Sequence, residues 1–151
     1  LSKKQTINEF RGEYAFLSNF TYAPTDFDGD TYPTAEHAYQ AAKTLNIEER
    51  KRIQKLSTPG EAKKAGKLVT LRKDWESIKL KIMECVVRQK FLQNPDLAAS
   101  LINTGSKVLR EGNNWKDNYW GVDRRTGKGE NHLGKILMMV RNELAKDFIW
   151  R

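Results

Sequence analysis

Tyr32-Pro33-Thr34-Ala35-Glu36-His37-Ala38-Tyr39-Gln40-Ala41-Ala42-Lys43 reads as a helix that carries its own start signal, with Thr34 as the capping residue. At 100° per residue, Ala38, Ala41, Ala42 and Leu45 fall on one side, and Glu36, Tyr39, Gln40 and Lys43 fall on the other. The small side can pack closely against other elements. The second side sets an acid, a phenol, an amide and an amine over two turns, with about 10 Å between the Cα atoms of Glu36 and Lys43. Such a stripe suits a polar ligand of nucleotide size, and a solvated helix face has the same composition. The helix alone does not choose between them.

Before this stretch, Phe10, Tyr14, Phe16, Phe20, Tyr22, Phe27 and Tyr32 surround Pro24 and Asp28-Gly29-Asp30, which predicts short strands with a hairpin turn at Asp-Gly. After it the signals are helical. Thr58-Pro59-Gly60-Glu61 supplies an N-cap, a proline at the first position and a capping-box acid for a helix through Lys67. Trp75, Ile78, Ile82, Cys85 and Val86 recur at three and four, which predicts a long core helix to about Leu92 with Cys85 in its buried stripe. Asn94-Pro95 opens another helix and Thr104-Gly105 closes it. A strand is expected within Lys107 to Glu111. The segment Gly112 to Asp123 mixes Trp115, Tyr119 and Trp120 with Asn and Asp in a way that core patterning does not require, so it is a candidate ligand loop. Asn131 is placed to cap a last helix through Leu133, Ile136, Leu137, Val140 and Leu144.

The 151 residues fit one domain, 1–151, large enough to bury a core without disulfides or metal. The class expected is mainly α (α+β), with a few short strands near the N-terminus and before the last helix. With 27 basic and 19 acidic residues the net charge is +8, which favours phosphates or nucleic acid as partners. One cysteine and two histidines exclude a zinc site of the usual Cys/His composition, and no metal or cofactor is expected. No apolar run approaches the ~20 residues of a membrane span. With a single cysteine and no signal-peptide pattern, a soluble cytoplasmic protein without a membrane partner is expected. Nothing in the pattern sets an oligomeric state.

Gly127-Lys128-Gly129-Glu130-Asn131 before a helix can bring backbone N–H groups to a phosphate, but it is neither a Walker A loop nor a dinucleotide fingerprint, and an ordinary helix entry has the same look. Context adds more. Glu13-Tyr14-Ala15-Phe16-Leu17-Ser18-Asn19-Phe20, the Tyr32 to Lys43 helix, Thr58 to Lys67, Asn118-Tyr119-Trp120-Gly121 and Gly127 to Gly134 follow one another in an order that resembles the YbiA-like, or NADAR, family, over about Thr6 to Leu144. The resemblance implies a mainly helical domain and N-glycosidase chemistry on ribosyl compounds. Activities known in that family are cleavage of a phosphorylated ribosylaminopyrimidine of riboflavin synthesis and removal of ADP-ribose from modified guanine in nucleic acid. The shared motifs do not separate the two.

By the same resemblance Glu36 is the leading catalytic acid or base, and Trp120 belongs to the site with one of the acids near it, Asp117 or Asp123. Breaking a C1–N bond needs a proton for the leaving nitrogen, which Glu36 can supply. Lys43, on the same helix face, offers a second route: a desolvated amine attacks C1 of the opened ribose to form an imine, which the family resemblance makes plausible. An internal Glu–Lys pair is the alternative. Trp120 is the leading stacking residue. Ser18 and Asn19 are candidates to orient ribose hydroxyls. Tyr39, Gln40, Lys67, Gly129 and Asn131 complete the expected substrate-binding set. The competing class of function is a non-catalytic module that binds ADP-ribose or nucleic acid; the pairing of Glu36 with Lys43 favours catalysis.

Overall fold

Residues 5–149 are described by the computed structural model. In chain order they form β1 (Thr6–Ile7), a 3-10 helix (Gly12–Leu17), β2 (Tyr22–Phe27), β3 (Asp30–Thr34), α1 (Ala35–Ala41), α2 (Ile47–Gln54), α3 (Pro59–Gly66), α4 (Trp75–Gln93), α5 (Pro95–Asn103), β4 (Val108–Leu109), β5 (Gly112–Asn113), β6 (Val122–Asp123) and α6 (His132–Ile149). The class is mainly helical with short strands, as the sequence predicts. Two compact units divide it: Asn19–Asn94, and the flanking segments up to Ser18 and from Pro95.

The Asn19–Asn94 unit begins with a hairpin. Asp28 and Gly29 take φ of 51° and 89°, the pair of left-handed residues a two-residue turn needs to match strand twist. They join β2 antiparallel to β3, with Phe27 opposite Asp30. The Asp28 carboxylate accepts from the Arg50 guanidinium of α2 at 2.7 Å.

Thr34 then starts α1 from an extended conformation, its Oγ accepting the His37 N–H at 3.1 Å. The same hydroxyl lies 2.7 Å from His37 Nδ1, and His37 Nε2 lies 2.9 Å from the Leu56 carbonyl. A carbonyl only accepts, so Nε2 carries the proton and Nδ1 accepts from Thr34. Burial lowers the pKa of His37, which keeps it neutral in this arrangement.

Helix α1 packs against β3, α2, α3 and α4. Ala35, Ala38, Ala41 and Ala42 are fully buried. Leu45 departs from expectation at 65% exposed. The helix ends at Ala41, and the Lys43 and Thr44 N–H groups reach back three residues, to Gln40 and Ala41, so the 100° count no longer applies past Ala42. Helix α3 has the predicted capping box, with Thr58 Oγ accepting the Glu61 N–H at 3.1 Å and donating to Glu61 Oε1 at 2.9 Å.

In α4 the buried stripe is Trp75, Met83, Val86, Val87, Lys90 and Phe91. Cys85, expected in that stripe, is exposed. It precedes Lys90 by five residues and so points about 140° away from it. The helix is covered by α1 and β2 together, which shifts the core face from Ile78 and Cys85 toward Met83 and Lys90.

In the flanking unit, β1 pairs parallel with β4, and β5 pairs parallel with β6, two residues in each strand. The strand expected within Lys107 to Glu111 is thus only Val108–Leu109. Gly12–Leu17, in the aromatic stretch read as strands, is a 3-10 helix. Helix α6 packs on α5 and β4. No helix of the described residues is long and apolar enough to cross a membrane.

Lys90 is an unusual core residue: fully buried, its amine 5.0 Å from the centre of the Phe91 ring. Burial pushes its pKa down from 10.5 to about 7. The unfolded chain therefore binds this proton more tightly than the fold does between pH 7 and about 10.5, so the burial cost is full below pH 7 and is relieved as pH rises through that window. Urea midpoints of the wild type measured from pH 7 to 9.5 should rise relative to those of Lys90→Met. Parallel curves would mean that Lys90 keeps its proton in the fold.

Candidate active site

The acid-to-amine stripe of the sequence survives in altered form. Glu36, in the first turn of α1, is half-buried, and its N–H donates to the Asn19 carbonyl at 3.1 Å. One turn later Gln40 Nε2 donates to Glu36 Oε2 at 3.0 Å. Gln40 is only 5% exposed, and Tyr39 is buried with its ring 5.2 Å from that of Trp75 on α4. The burial of Tyr39 and Gln40 shows that the middle of this stripe is not a solvated face, while Glu36 and Lys43 at its ends are half-buried. Lys43 lies just beyond the helix, half-buried, its Nζ 5.7 Å from the Tyr39 ring centre and its carbonyl accepting the Arg72 N–H at 2.8 Å.

The electrostatics of Lys43 distinguish it from a surface lysine. Its pKa is lowered, first by burial and further by the positive charges of Lys67, Lys63 and Lys79, while Glu36 opposes the shift. Two of those lysines come from α3 (Lys67 just past its end) and one from α4. An amine among like charges and away from water gives up its proton more readily. An acid whose charge acts on such an amine can exchange a proton with it.

Asn19 is buried; its Nδ2 lies 3.3 Å from Met83 Sδ, and its Oδ1 has no hydrogen-bond partner among the described residues. The Asn19–Asn94 unit thus brings Glu36, Tyr39, Gln40, Lys43, Lys67 and Asn19 together. Ser18 belongs to the flanking unit, where its N–H closes the 3-10 helix on the Ala15 carbonyl at 2.9 Å.

The candidate loop of the flanking unit is organised by its own polar residues. Asp117 Oδ1 accepts the N–H groups of Tyr119 and Trp120 at 3.2 and 3.0 Å. Asp123 Oδ1 accepts those of Arg125 and Thr126 at 2.8 and 3.1 Å, and these bonds lower its pKa. Of the two acids, Asp117 is the one that holds Trp120. The Trp120 ring meets Tyr119 edge-on at 4.8 Å, and Tyr119 lies 4.5 Å from His132.

Of the two readings open for Gly127 to Asn131, the hydrogen bonds match the ordinary helix entry. The N–H groups of Glu130, Asn131, His132 and Leu133 donate to the carbonyls of Asn118, Gly121, Tyr119 and Trp120. Asn131 takes φ 53°, and its side chain does not cap α6: Oδ1 accepts the Glu111 N–H at 3.0 Å and Nδ2 donates to the Leu109 carbonyl at 2.9 Å. Gly129, at φ 149°, lies so close to the Gly121 carbonyl that a Cβ would overlap it. Both residues serve the fold of the loop.

Lys79, Trp75 and His132 were absent from the predicted site. Lys79 and Trp75 are one turn apart on α4, a spacing that could have flagged them, but nothing local aims them at α1. A cavity of about 420 Å³ in the flanking unit is lined by Asn8, Arg11, Glu13, Tyr14 and Lys107 among others, and it too escaped prediction except through the motif residues Glu13 and Tyr14. No group of His, Cys, Asp and Glu among the described residues could hold a metal ion.

The NADAR domain model matches residues 7–145. N-glycosidase YbiA of Escherichia coli (strain K12) is 42% identical over 135 residues, which are 88% of this chain and 83% of that protein. Riboflavin biosynthesis protein VVA0006 of Vibrio vulnificus is 38% identical over 135 residues, 88% of this chain but 36% of that longer protein. The NMR structure of E. coli YbiA superposes with a TM-score of 0.85 at 37% identity, covering 99% of this chain and 91% of that one. With a family match across nearly the whole chain and this level of identity to characterised relatives, the chain belongs to the NADAR family of N-glycosidases.

Proposed function

We propose that the chain hydrolyses the C1–N bond of a phosphorylated ribosyl N-glycoside, with Glu36 moving the proton and Lys43 acting as nucleophile. The observation that carries this reading is the half-buried Lys43 amine, its pKa lowered by burial and by neighbouring lysines, with the charge of Glu36 acting on it. On this reading the neutral Lys43 amine adds to C1 of the ring-opened ribose. The C1–N bond to the base then breaks, and the base leaves with a proton from Glu36. Water, deprotonated by Glu36, adds to the resulting C1=N bond, which releases the ribose aldehyde and restores the amine.

Lys67, with Lys63 and Lys79, meets the substrate phosphate, and Asn19, with its unused acceptor, takes a ribose hydroxyl. For the flanking unit we propose separately that Trp120, held by Asp117, stacks on a base. The substrate is a ribosylaminopyrimidine phosphate of riboflavin synthesis or ADP-ribosylated guanine in nucleic acid. The name of the Vibrio relative supports the first, and the net charge of +8 supports the polyanion of the second. Incubation with each, followed by chromatography for the free base, decides between them; release of neither would end this proposal.

Three outcomes test the roles. Glu36→Gln keeps the side-chain shape but cannot exchange a proton, so turnover should fall by about 10²- to 10⁴-fold in a folded protein. Wild-type rates would remove Glu36 from the mechanism. Borohydride added during turnover should trap an adduct on the peptide containing Lys43, visible by mass spectrometry and missing from Lys43→Arg. If no adduct forms and Lys43→Arg is near normal, direct attack by water is the better mechanism. Trp120→Ala should weaken calorimetric binding of the substrate by about 1–3 kcal/mol if the ring is a stacking platform. A lower melting temperature with unchanged binding would instead assign Trp120 to packing.

A further inference from the structure

Gly66, the last residue of α3, has no left-handed backbone conformation to explain it. Glycine is a poor helix residue, so another demand must hold it there. The demand is space. A Cβ at Gly66 would overlap Gln40 Oε1 and press on the Gln40 side chain as far as its own Cβ, at 3.1 Å. The hydrogen that replaces this Cβ points at Oε1, a Cα–H···O contact for a buried carbonyl oxygen that has no hydrogen-bond donor among the described residues.

From this we infer that Gln40 is the positioning residue for Glu36 and that Gly66 is the seat that fixes it, an inference that rests on Glu36 being the proton-transferring group. The amide has one workable orientation. Its N–H side donates to Glu36 Oε2 at 3.0 Å, and turning it over would set Oε1 against the carboxylate. With Gln40 enclosed and its oxygen lodged on the α3 backbone, the donor cannot follow the carboxylate if it swings. It therefore selects one rotamer of the Glu36 carboxylate and fixes the direction from which that group exchanges its proton. The orphaned carbonyl is costly to bury, and that cost is tolerated at a place where a fixed donor sets the geometry of a reacting group.

The test uses four variants of the full chain: Gln40→Met, which keeps length and loses the donor, Gly66→Ala, Gln40→Ala and the double Gln40→Ala with Gly66→Ala. Each is compared with wild type and Glu36→Gln for kcat and KM on the N-glycoside that wild type cleaves. Gln40→Met and Gly66→Ala should each lower kcat about 10- to 100-fold, as expected for a displaced reacting group, with KM changed less than threefold. Gly66→Ala should cause little further loss once Gln40→Ala has removed the amide, because only the Cβ approach at 3.1 Å then remains, and none of the changes should matter in a Glu36→Gln background. If Gly66→Ala does not fold, Gln40→Met alone carries the test. Carbon NMR titration of the Glu36 carboxyl, which needs no substrate, should move to higher pH in Gln40→Met because a donor to the ionised form has gone. Folded Gln40→Met with wild-type kcat and an unmoved titration, while Glu36→Gln is inactive, overturns the positioning role. Full turnover by Glu36→Gln overturns both that role and the mechanism on which it rests.

Discussion

The enclosure of α1 is the constraint on which the rest of its unit depends. A helix of seven residues does not hold itself together in water. This one is surrounded by β3, α2, α3 and α4, and four alanines let those neighbours approach closely. Enclosure creates an obligation as well, because every polar side chain on α1 must then find its partner inside the protein. His37 meets it with Thr34 and the Leu56 carbonyl, and Gln40 meets half of it with Glu36. The capping residue, the buried histidine and the acid are thus parts of one bonded stretch, and a change in how α1 is covered would reach all three.

The same loss of water acts on two lysines with different results. Burial alone pushes the pKa of Lys90 down to about 7 on the buried face of α4. Lys43 is less deeply buried, and Glu36 pulls against the shift while three lysines reinforce it. Opposite charges a few ångströms apart at an effective dielectric near 20 interact by a few kcal/mol, comparable to partial desolvation. For Lys43 burial and the lysines outweigh Glu36, and its pKa is lowered. A nucleophile that must be neutral to attack benefits from that lowering, whereas the buried setting of Lys90 excludes a ligand.

Local signals were legible and non-local ones were not. The Asp28-Gly29 turn, the Thr34 and Thr58 caps and Pro59 at a helix start each depend on residues within four positions, and each stands where the sequence put it. Glu36, Tyr39, Gln40 and Lys43 could be grouped for the same reason, being within two turns. Cys85 and Leu45 were misread because the direction of cover and the point where a helix stops are set by other elements. Lys79, Trp75 and Gly66 reach the α1 surroundings from helices about 30 residues on, and composition offers no hint of that arrival. Gly66 in particular looks like a helix terminator until the side chain it accommodates is seen.

The Gly127 to Asn131 stretch left two readings open in the sequence, a phosphate cradle and an ordinary helix entry, because the same physics serves either occupant. Unpaired N–H groups at a helix start attract any oxygen with lone pairs, whether from a phosphate or from the protein. Here the carbonyls of Tyr119 and Trp120 take the N–H groups of His132 and Leu133, and Gly129 lets the two segments come close enough to do so. The helix start therefore orients an aromatic loop and is used up in doing so. Anion recognition on the proposed reading then falls to lysine side chains, which act as flexible point charges and do not enforce the geometry of a backbone cradle.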